Sequence, residues 1–516
     1  MINKKLYKNI TVFVAGLFII ITPIMGCYAQ ETMPKKWPQS LVTLDNGPWP
    51  MYCHDSKHTC RSPYKGLTAQ PIKPKWIYPS PGGKGGFTSS ISIGNNGLIY
   101  AGTAHNEEFI KDKTSGYSGI LSAISHDGNK IFQHDSHSGT PMISMIESGP
   151  LLTSDGMVIY GKDDGHVYAL NATGGLLWDF STDDPFNPKK ADDNEQIIPS
   201  PVLGADNTLY ILSHWGNVYS PIVVNPMRRN PLAKRLLDKW EIKSIKRQSW
   251  SKMYAVDVQT GKRKWVFDPS SGYFSSKKVF WGSPAVGDDG TIYAAAYDNN
   301  YSNNSGHLYA LNSDGTLKWK YPKKGQETIQ SLQSPPSIGD DGTVYVGSFG
   351  SKDKARLYAF NPNGTLKWSY EITENRITSG PGIGPDGTLY FGSHNYPAGL
   401  AKGSKWPPKG HMYTIKDLGT KAELKWKFEV KYGITASPAI DNEGNVFFIT
   451  TSQPPVPHGV LGDYSFYALN KDGKKLWSYP FKGSAWGAPA IDKDGTIYVN
   501  IMKGEASVCA FGMINK

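Results

Sequence analysis

Seven short stretches of this 516-residue chain share a grammar and carry residues able to hold a ligand. They are MIESGP with Glu147, EQIIPSP with Gln196, FWGSPA with Trp281, IQSLQSP with Gln330 and Gln333, NRITSGP with Arg376, YGITASP with Tyr432, and AWGAPA with Trp486. Aromatic faces, amides, one acid and one guanidinium are what a flat aromatic ligand or a sugar wants around a concave mouth. Read structurally instead, Trp281 and Trp486 wedge between neighbouring sheets. Motifs for other chemistry are absent: there is no GxSxG elbow, no HExxH zinc helix, no GxxxxGK[ST] phosphate loop and no CxxCH haem site. The run DNNYSNN, residues 298–304, offers oxygen ligands without the spacing of a calcium loop and reads as a solvated, turn-rich loop. No catalytic residue and no metal ligand set is assigned.

The elements that must position these residues repeat. From Ser283 to Trp319 the chain shows four short runs of β-formers separated by Asp289-Gly290, an enlarged connection, and Asp314-Gly315. An Asp-Gly pair supplies the positive φ that a tight hairpin needs, so the stretch predicts a four-stranded antiparallel meander. The first turn recurs at Asn96-Gly97, Asp155-Gly156, Asp206-Asn207, Asp341-Gly342, Asp386-Gly387, Glu443-Gly444 and Asp494-Gly495, eight in all. An aromatic marks the fourth strand at Phe132, Trp178, Trp265, Trp319, Trp368, Trp426 and Trp477, only seven times. Trp76 is the missing marker, upstream of the first unit, while the last unit stops after its third strand. The expectation is an all-β, eight-bladed β-propeller, closed by pairing the strand near Trp76 with the strands between Ala488 and Phe511, which leaves only short sheet edges. The enlarged connections Thr103 to Ser118, Tyr297 to Gly306, Ser393 to Gly410 and Thr451 to Asp463 all join second to third strands, so they share one face with the seven ligand-grade stretches.

The phrases DGTIYAAA, GHLYALNSDGTLKW, DGTVYVGS and RLYAFNPNGTLKW resemble the repeats of PQQ-like (quinoprotein-type) propellers over about residues 76–511, and WPMYCHDSKHTCRSPY, residues 49–64, is similar to the lead-in of that family. The family includes pyrroloquinoline quinone dehydrogenases and non-catalytic scaffolds such as the outer-membrane assembly lipoprotein. In the dehydrogenases the resemblance implies a quinone between a tryptophan and a disulfide of adjacent cysteines, with calcium and an aspartate base. This chain has no adjacent cysteines. Cys53 and Cys60 stand where the family usually lacks cysteine, which suggests a disulfide in an oxidising compartment; the alternative is a metal site of Cys53, His54, His58 and Cys60. Cys509 is expected to be a free thiol.

Outside the repeats, Lys4, Lys5 and Lys8 precede the apolar run Ile10 to Ile21, so residues 1–29 read as a secretory signal. Ile24-Met25-Gly26-Cys27 resembles a lipobox that would acylate Cys27; cleavage after Ala29 is the other reading. Residues 30–70 form an N-terminal extension and 71–516 the propeller. The net charge of +11 is concentrated: besides the signal lysines, residues 225–252 hold nine Lys/Arg against Asp238 and Glu241, and the rest is near neutral. That distribution argues against a nucleic-acid binder. In the basic insertion, about 221–252, Asn230 can cap a helix starting at Pro231, with Leu232, Leu236, Leu237 and Trp240 on one face for an acidic partner, an anionic membrane or the propeller's own surface. The sequence thus predicts an exported binding or assembly scaffold, periplasmic or outer-membrane-associated, holding an envelope protein, a small ligand or a glycan, the last through Tyr301, Tyr396, Trp406 and Trp486. No cofactor is predicted; pyrroloquinoline quinone with calcium is the alternative.

Overall fold

Hairpin turns set the frame. In the computed structural model Gly97, Gly156, Asn207, Gly290, Gly342, Gly387, Gly444 and Gly495, the second residues of the eight expected turns, all have φ between 59° and 85°. The structure describes residues 42–71, 73–81, 85–105, 119–136, 145–182, 195–215, 250–269, 278–298, 305–350, 354–395, 409–451, 463–483, 485–502 and 506–513. The signal with Cys27, the bulk of the basic insertion, nearly all of the enlarged connections, and Tyr301, Tyr396 and Trp406 lie outside these residues.

Each turn joins strands that pair in chain order, antiparallel throughout. Ala285–Val286, Ile292–Asp298, Ser305–Leu311 and Leu317–Tyr321 form one such meander. The order recurs from Ser92–Ile93 to Lys130–Asp135, from Leu151–Leu152 to Leu176–Ser181, from Val202–Leu203 to Arg263–Phe267, from Ser337–Ile338 to Leu366–Glu371, from Gly382–Ile383 to Ala422–Val430 and from Ala439–Ile440 to Lys475–Lys482. Three further short strands, Gly85–Phe87, Lys278–Phe280 and Ile329–Leu332, pair antiparallel with the far ends of second strands, and Ile329–Leu332 pairs with two neighbouring meanders to make one ten-stranded sheet. Second and third strands read alternately into two packed faces and are buried almost throughout, while fourth strands alternate exposed and buried. The apolar core therefore lies between sheets, which no single meander could bury alone.

The last sheet is assembled from both ends of the described chain. Ala490–Ile491, Ile497–Ile501 and Ser507–Phe511 pair in order, and Trp76–Pro79 completes the sheet in the register Trp76↔Ala510, Ile77↔Cys509. Its innermost and second strands also touch the first repeat, where Ala488 N–H donates to Ser90 Oγ at 3.2 Å and Asn500 Nδ2 donates to Ser89 O.

The aromatic markers are latches between repeats. A bulge just before each marker shifts its register, and the indole reaches the third-to-fourth turn of the next repeat. Trp265 Nε1 donates to Ser313 O at 2.8 Å, Trp319 to Pro362 O at 2.9 Å and Trp426 to Lys471 O at 2.8 Å. The ring covers the turn glycine: at Gly364, with φ of 84°, a Cβ would fall 2.5 Å from the Trp319 ring. Trp76 serves the first repeat in the same way through His126 O at 2.7 Å. Trp477 has no such turn to find, because the chain ends meet there, and donates instead to Leu67 O at 2.9 Å.

Leu67 belongs to a strap, residues 42–67, that crosses the innermost strands. Each innermost strand is only two residues long and leaves an unpaired backbone edge, which must find partners when buried. The strap supplies them in sequence. Trp49 exchanges two hydrogen bonds with Ile93, Pro50 O accepts from Leu152 N–H, and Ser56, Lys57, Thr59 and Cys60 carbonyls accept from Val286, Ile338, Ile383 and Ile440 N–H at 2.8 to 2.9 Å. Lys57, Arg61 and Lys65 pair with Asp288, Asp340 and Glu443 at the same end; being exposed, these pairs add little. A disulfide joins Cys53 to Cys60, both with no exposure, so neither sulfur is a thiolate ligand. His58 is buried beneath it, its Nδ1 at 3.2 Å from Pro336 O, and burial pulls it down to about 4. Cys509 is a free, buried thiol.

Candidate functional site: a blind funnel at the centre of the sheets

The connections that enter the innermost strands converge on a cavity of about 150 Å³. One position from each repeat lines it, the residue three before the proline (Ile91 in the first repeat) that precedes the innermost strand: Thr88, Glu147, Ile198, Trp281, Gln333, Thr378, Thr435 and Trp486. A second ring, Ser90, Ser200, Ser283, Pro335, Ser437 and Ala488, lies one residue before the proline position. These hydroxyls are largely committed to the neighbouring repeat: Ser200 Oγ accepts from Gly149 N–H, Ser283 Oγ from Ser200 N–H and Ser437 Oγ from Gly380 N–H, each at 2.8 Å. The side chain three residues earlier reaches the cavity in all eight repeats whatever its type, and in the first repeat without a proline after it. Tyr52 of the strap also lines the cavity, its hydroxyl 2.7 Å from Ser437 Oγ. Burial raises that phenol to about 12, so it stays neutral. The strap thus closes the end of the funnel from which the first turns project.

Among these lining residues Glu147 is the one acid, and no lysine, arginine or histidine joins it. Burial pushes its carboxyl up to about 7, and it has no hydrogen-bond partner among the described residues. Asp163, in the turn after the second strand of the same repeat, is held well above the carboxylate range by burial and then by the charge of Glu147. Asp163 Oδ1 is buried without a partner. The Lys162 ammonium, directed to Asp164 at 3.5 Å and to Ser136, offsets the rise of Asp163 only in part. Behind Trp281 stands His214, 1 % exposed, its ring edge-on to the indole at 5.8 Å, with burial taking it down to about 4. It is a neutral imidazole packing the tryptophan from behind.

Of the residues expected to face a ligand, Glu147, Trp281 and Trp486 reach the funnel together with Gln333. Gln196, Gln330, Arg376 and Tyr432 do not, because each lies five or six residues before its proline and is spent at the height of the strand ends. Gln196 exchanges backbone hydrogen bonds with His214. Gln330 donates to Lys354 O at 2.9 Å and accepts from Ser348 Oγ at 2.7 Å. The Arg376 guanidinium lies 3.9 Å over the Phe349 ring, and Tyr432 packs on Tyr464 at 4.7 Å. Tyr52, Asp163 and His214 escaped the sequence reading. The first is recognisable only once the strap is seen to cross the innermost strands; His214 sits in a strand, where the pattern reads as core, and Asp163 in the turn after one.

Among the described residues the donor set does not match a quinone held with calcium. Calcium takes six to eight oxygens, typically several from carboxylates and carbonyls, and the funnel offers one acid with a second behind it. No group of three or more His, Cys, Asp or Glu among the described residues is arranged to hold a metal. The chain has no adjacent cysteines to stack on a quinone, and the one disulfide among the described residues lies in the strap.

No curated protein matches the chain in sequence. Among solved structures it is similar to a europium-containing methanol dehydrogenase, with 14% identity over 89% of this chain and 90% of that one and a TM-score of 0.59. It is also similar to the quinohemoprotein alcohol dehydrogenase ADHIIG from Pseudomonas putida HK5, with 14% identity, 90% and 80% coverage and a TM-score of 0.57. Sqt1 from Chaetomium thermophilum gives 12% identity, 86% and 99% coverage and a TM-score of 0.53. At such identities these likenesses speak for the fold alone, an all-β assembly of four-stranded sheets of the β-propeller kind. The family model described as outer membrane protein assembly factor BamB matches residues 95–265 and 245–397, more than half of the sequence, and with the repeats, latches and strap in place the chain belongs to this PQQ-like repeat β-propeller family.

Proposed function

We propose that this chain is a closed, eight-bladed propeller acting as an exported binding or assembly scaffold at the cell envelope, with its partner seated over the funnel. The ring is supported by the strand from Trp76 in the last sheet, by the Ala488 to Ser90 hydrogen bond and by Trp76 latching the first repeat. The scaffold role is favoured by the family description, an outer membrane assembly factor, and by a donor set poor in acid–base pairs. The observation that carries the reading is the blind funnel: every repeat contributes one side chain to it, and the strap closes its other end, so anything held there must come from the face of the enlarged connections. Binding residues grouped on a rigid scaffold are the usual arrangement for recognition.

The test is affinity capture from envelope extract with the full chain and with a Trp281→Ala, Trp486→Ala double variant of equal thermal stability. Recovery of a membrane-protein partner by the first and its loss with the second is expected. Equal recovery by both removes the funnel from the reading. A stable chromophore and dye-linked alcohol oxidation after loading with pyrroloquinoline quinone and calcium would replace the scaffold by a dehydrogenase. Mass spectrometry of the native protein decides whether Cys27 carries lipid or is removed.

A further inference from the structure

We infer that the funnel is a receptor for one cationic side chain, the ammonium of a lysine or the guanidinium of an arginine, presented by a protein partner. The inference rests on the scaffold reading above and names the group that the scaffold recognises.

Size comes first. Pockets for whole ligands run from about 300 to 1,000 Å³, whereas the funnel holds about 150 Å³. A cavity of roughly that volume takes a group the size of benzene, which is the scale of a side-chain tip. Composition then selects the kind of tip. Of the eight positions that point to the axis, one from each repeat, only Glu147 is ionisable, and no lysine, arginine or histidine lines the funnel among the described residues. An anion entering would meet a lone acid. A neutral apolar group would strip water from that acid and leave it unpaired, which is costly. A cation would pair with it and also offset the negative charge around Asp163, whose buried Oδ1 has no partner.

The tryptophans complete the arrangement. Trp281 and Trp486 belong to repeats four apart, so on an eight-fold ring they stand across the axis from one another, with Glu147 from the repeat midway between them. A cation at the centre then lies between the two tryptophans beside a carboxylate, and indole rings attract a desolvated cation. Thr378, opposite Glu147, bonds His394 through its hydroxyl at 3.2 Å and brings no competing charge. The remaining positions, Thr88, Ile198, Gln333 and Thr435, are neutral.

The experiment is a tryptophan-fluorescence titration of the full chain with N-acetyl-L-argininamide and with its neutral isostere N-acetyl-L-citrullinamide, repeated on Glu147→Gln. The expected result is saturable binding of the arginine compound and roughly ten-fold weaker binding of the citrulline compound. Glu147→Gln, isosteric and checked by circular dichroism for an unchanged fold, should weaken the arginine compound by a similar factor and leave the citrulline compound as it was. Equal affinities for the two probes, no binding of either at tens of millimolar, or an arginine affinity that ignores Glu147→Gln would each overturn the inference. Affinity capture separates this from the scaffold reading. If Glu147→Gln still recovers the partner as wild type does, the cation receptor falls and the scaffold stands; if wild type recovers none, the scaffold itself falls.

Discussion

Glu147 shows how one position in a repeat array acquires a role. The site three residues before the proline is occupied in the other repeats by threonine, isoleucine, glutamine or tryptophan, and a carboxylic acid there is raised by burial to about 7. Between the unfolded value near 4.5 and that folded value, the native state holds a proton that the unfolded chain has lost. Stability contributed by this group is therefore full at low pH and declines as pH rises through 7. A shift of this size corresponds to at most about 3 kcal/mol. Urea unfolding should find Glu147→Gln equal to wild type at pH 4.5 and more stable at pH 8, by about 1 to 3 kcal/mol; a variant less stable at both would contradict the environment described for Glu147. The sequence flagged this residue by its type, but not its register. Gln196, Gln330, Arg376 and Tyr432 looked equally suited and lie two or three residues too early to reach the axis, a distinction that emerges only when the prolines are aligned with the innermost strands.

At the scale of elements, the strap does what repeats cannot do for themselves. Two-residue innermost strands leave carbonyl and amide groups facing the channel, and the strap satisfies them while lending Leu67 O to Trp477. The Cys53 to Cys60 bridge braces the point where it turns. Closing a loop of this size removes unfolded-state entropy equivalent to about 2.5 kcal/mol. Cys53→Ser with Cys60→Ser should lower the melting temperature and speed hydrogen exchange at the amides of Val286, Ile338, Ile383 and Ile440, whose acceptors are strap carbonyls. Unchanged exchange at those four amides would mean that the bridge does not hold the strap in place. The strands were legible because their turns use Asp-Gly chemistry and their markers recur. The strap was not, because its fold is dictated by six distant innermost strands and by positive φ at Cys53, His54, His58 and Cys60, for which no local pattern speaks.

For the whole molecule, the account depends on where the two ends of the repeat array meet. The mismatch between eight first turns and seven aromatic markers made the pairing of Trp76 with the last sheet readable in the sequence, and the strand register, the latch on His126 and the hydrogen bond to Ser90 agree with it. The opposition of Trp281 and Trp486, and with it the single-ended funnel, follows only if that ring is closed. The register places Ile77 directly across from Cys509, the free thiol. The most direct measurement is therefore disulfide mapping by mass spectrometry of the Ile77→Cys protein after mild oxidation. The account predicts one new disulfide, to Cys509, alongside the native Cys53 to Cys60 bridge. Both thiols remaining free in a folded protein would contradict the closed ring.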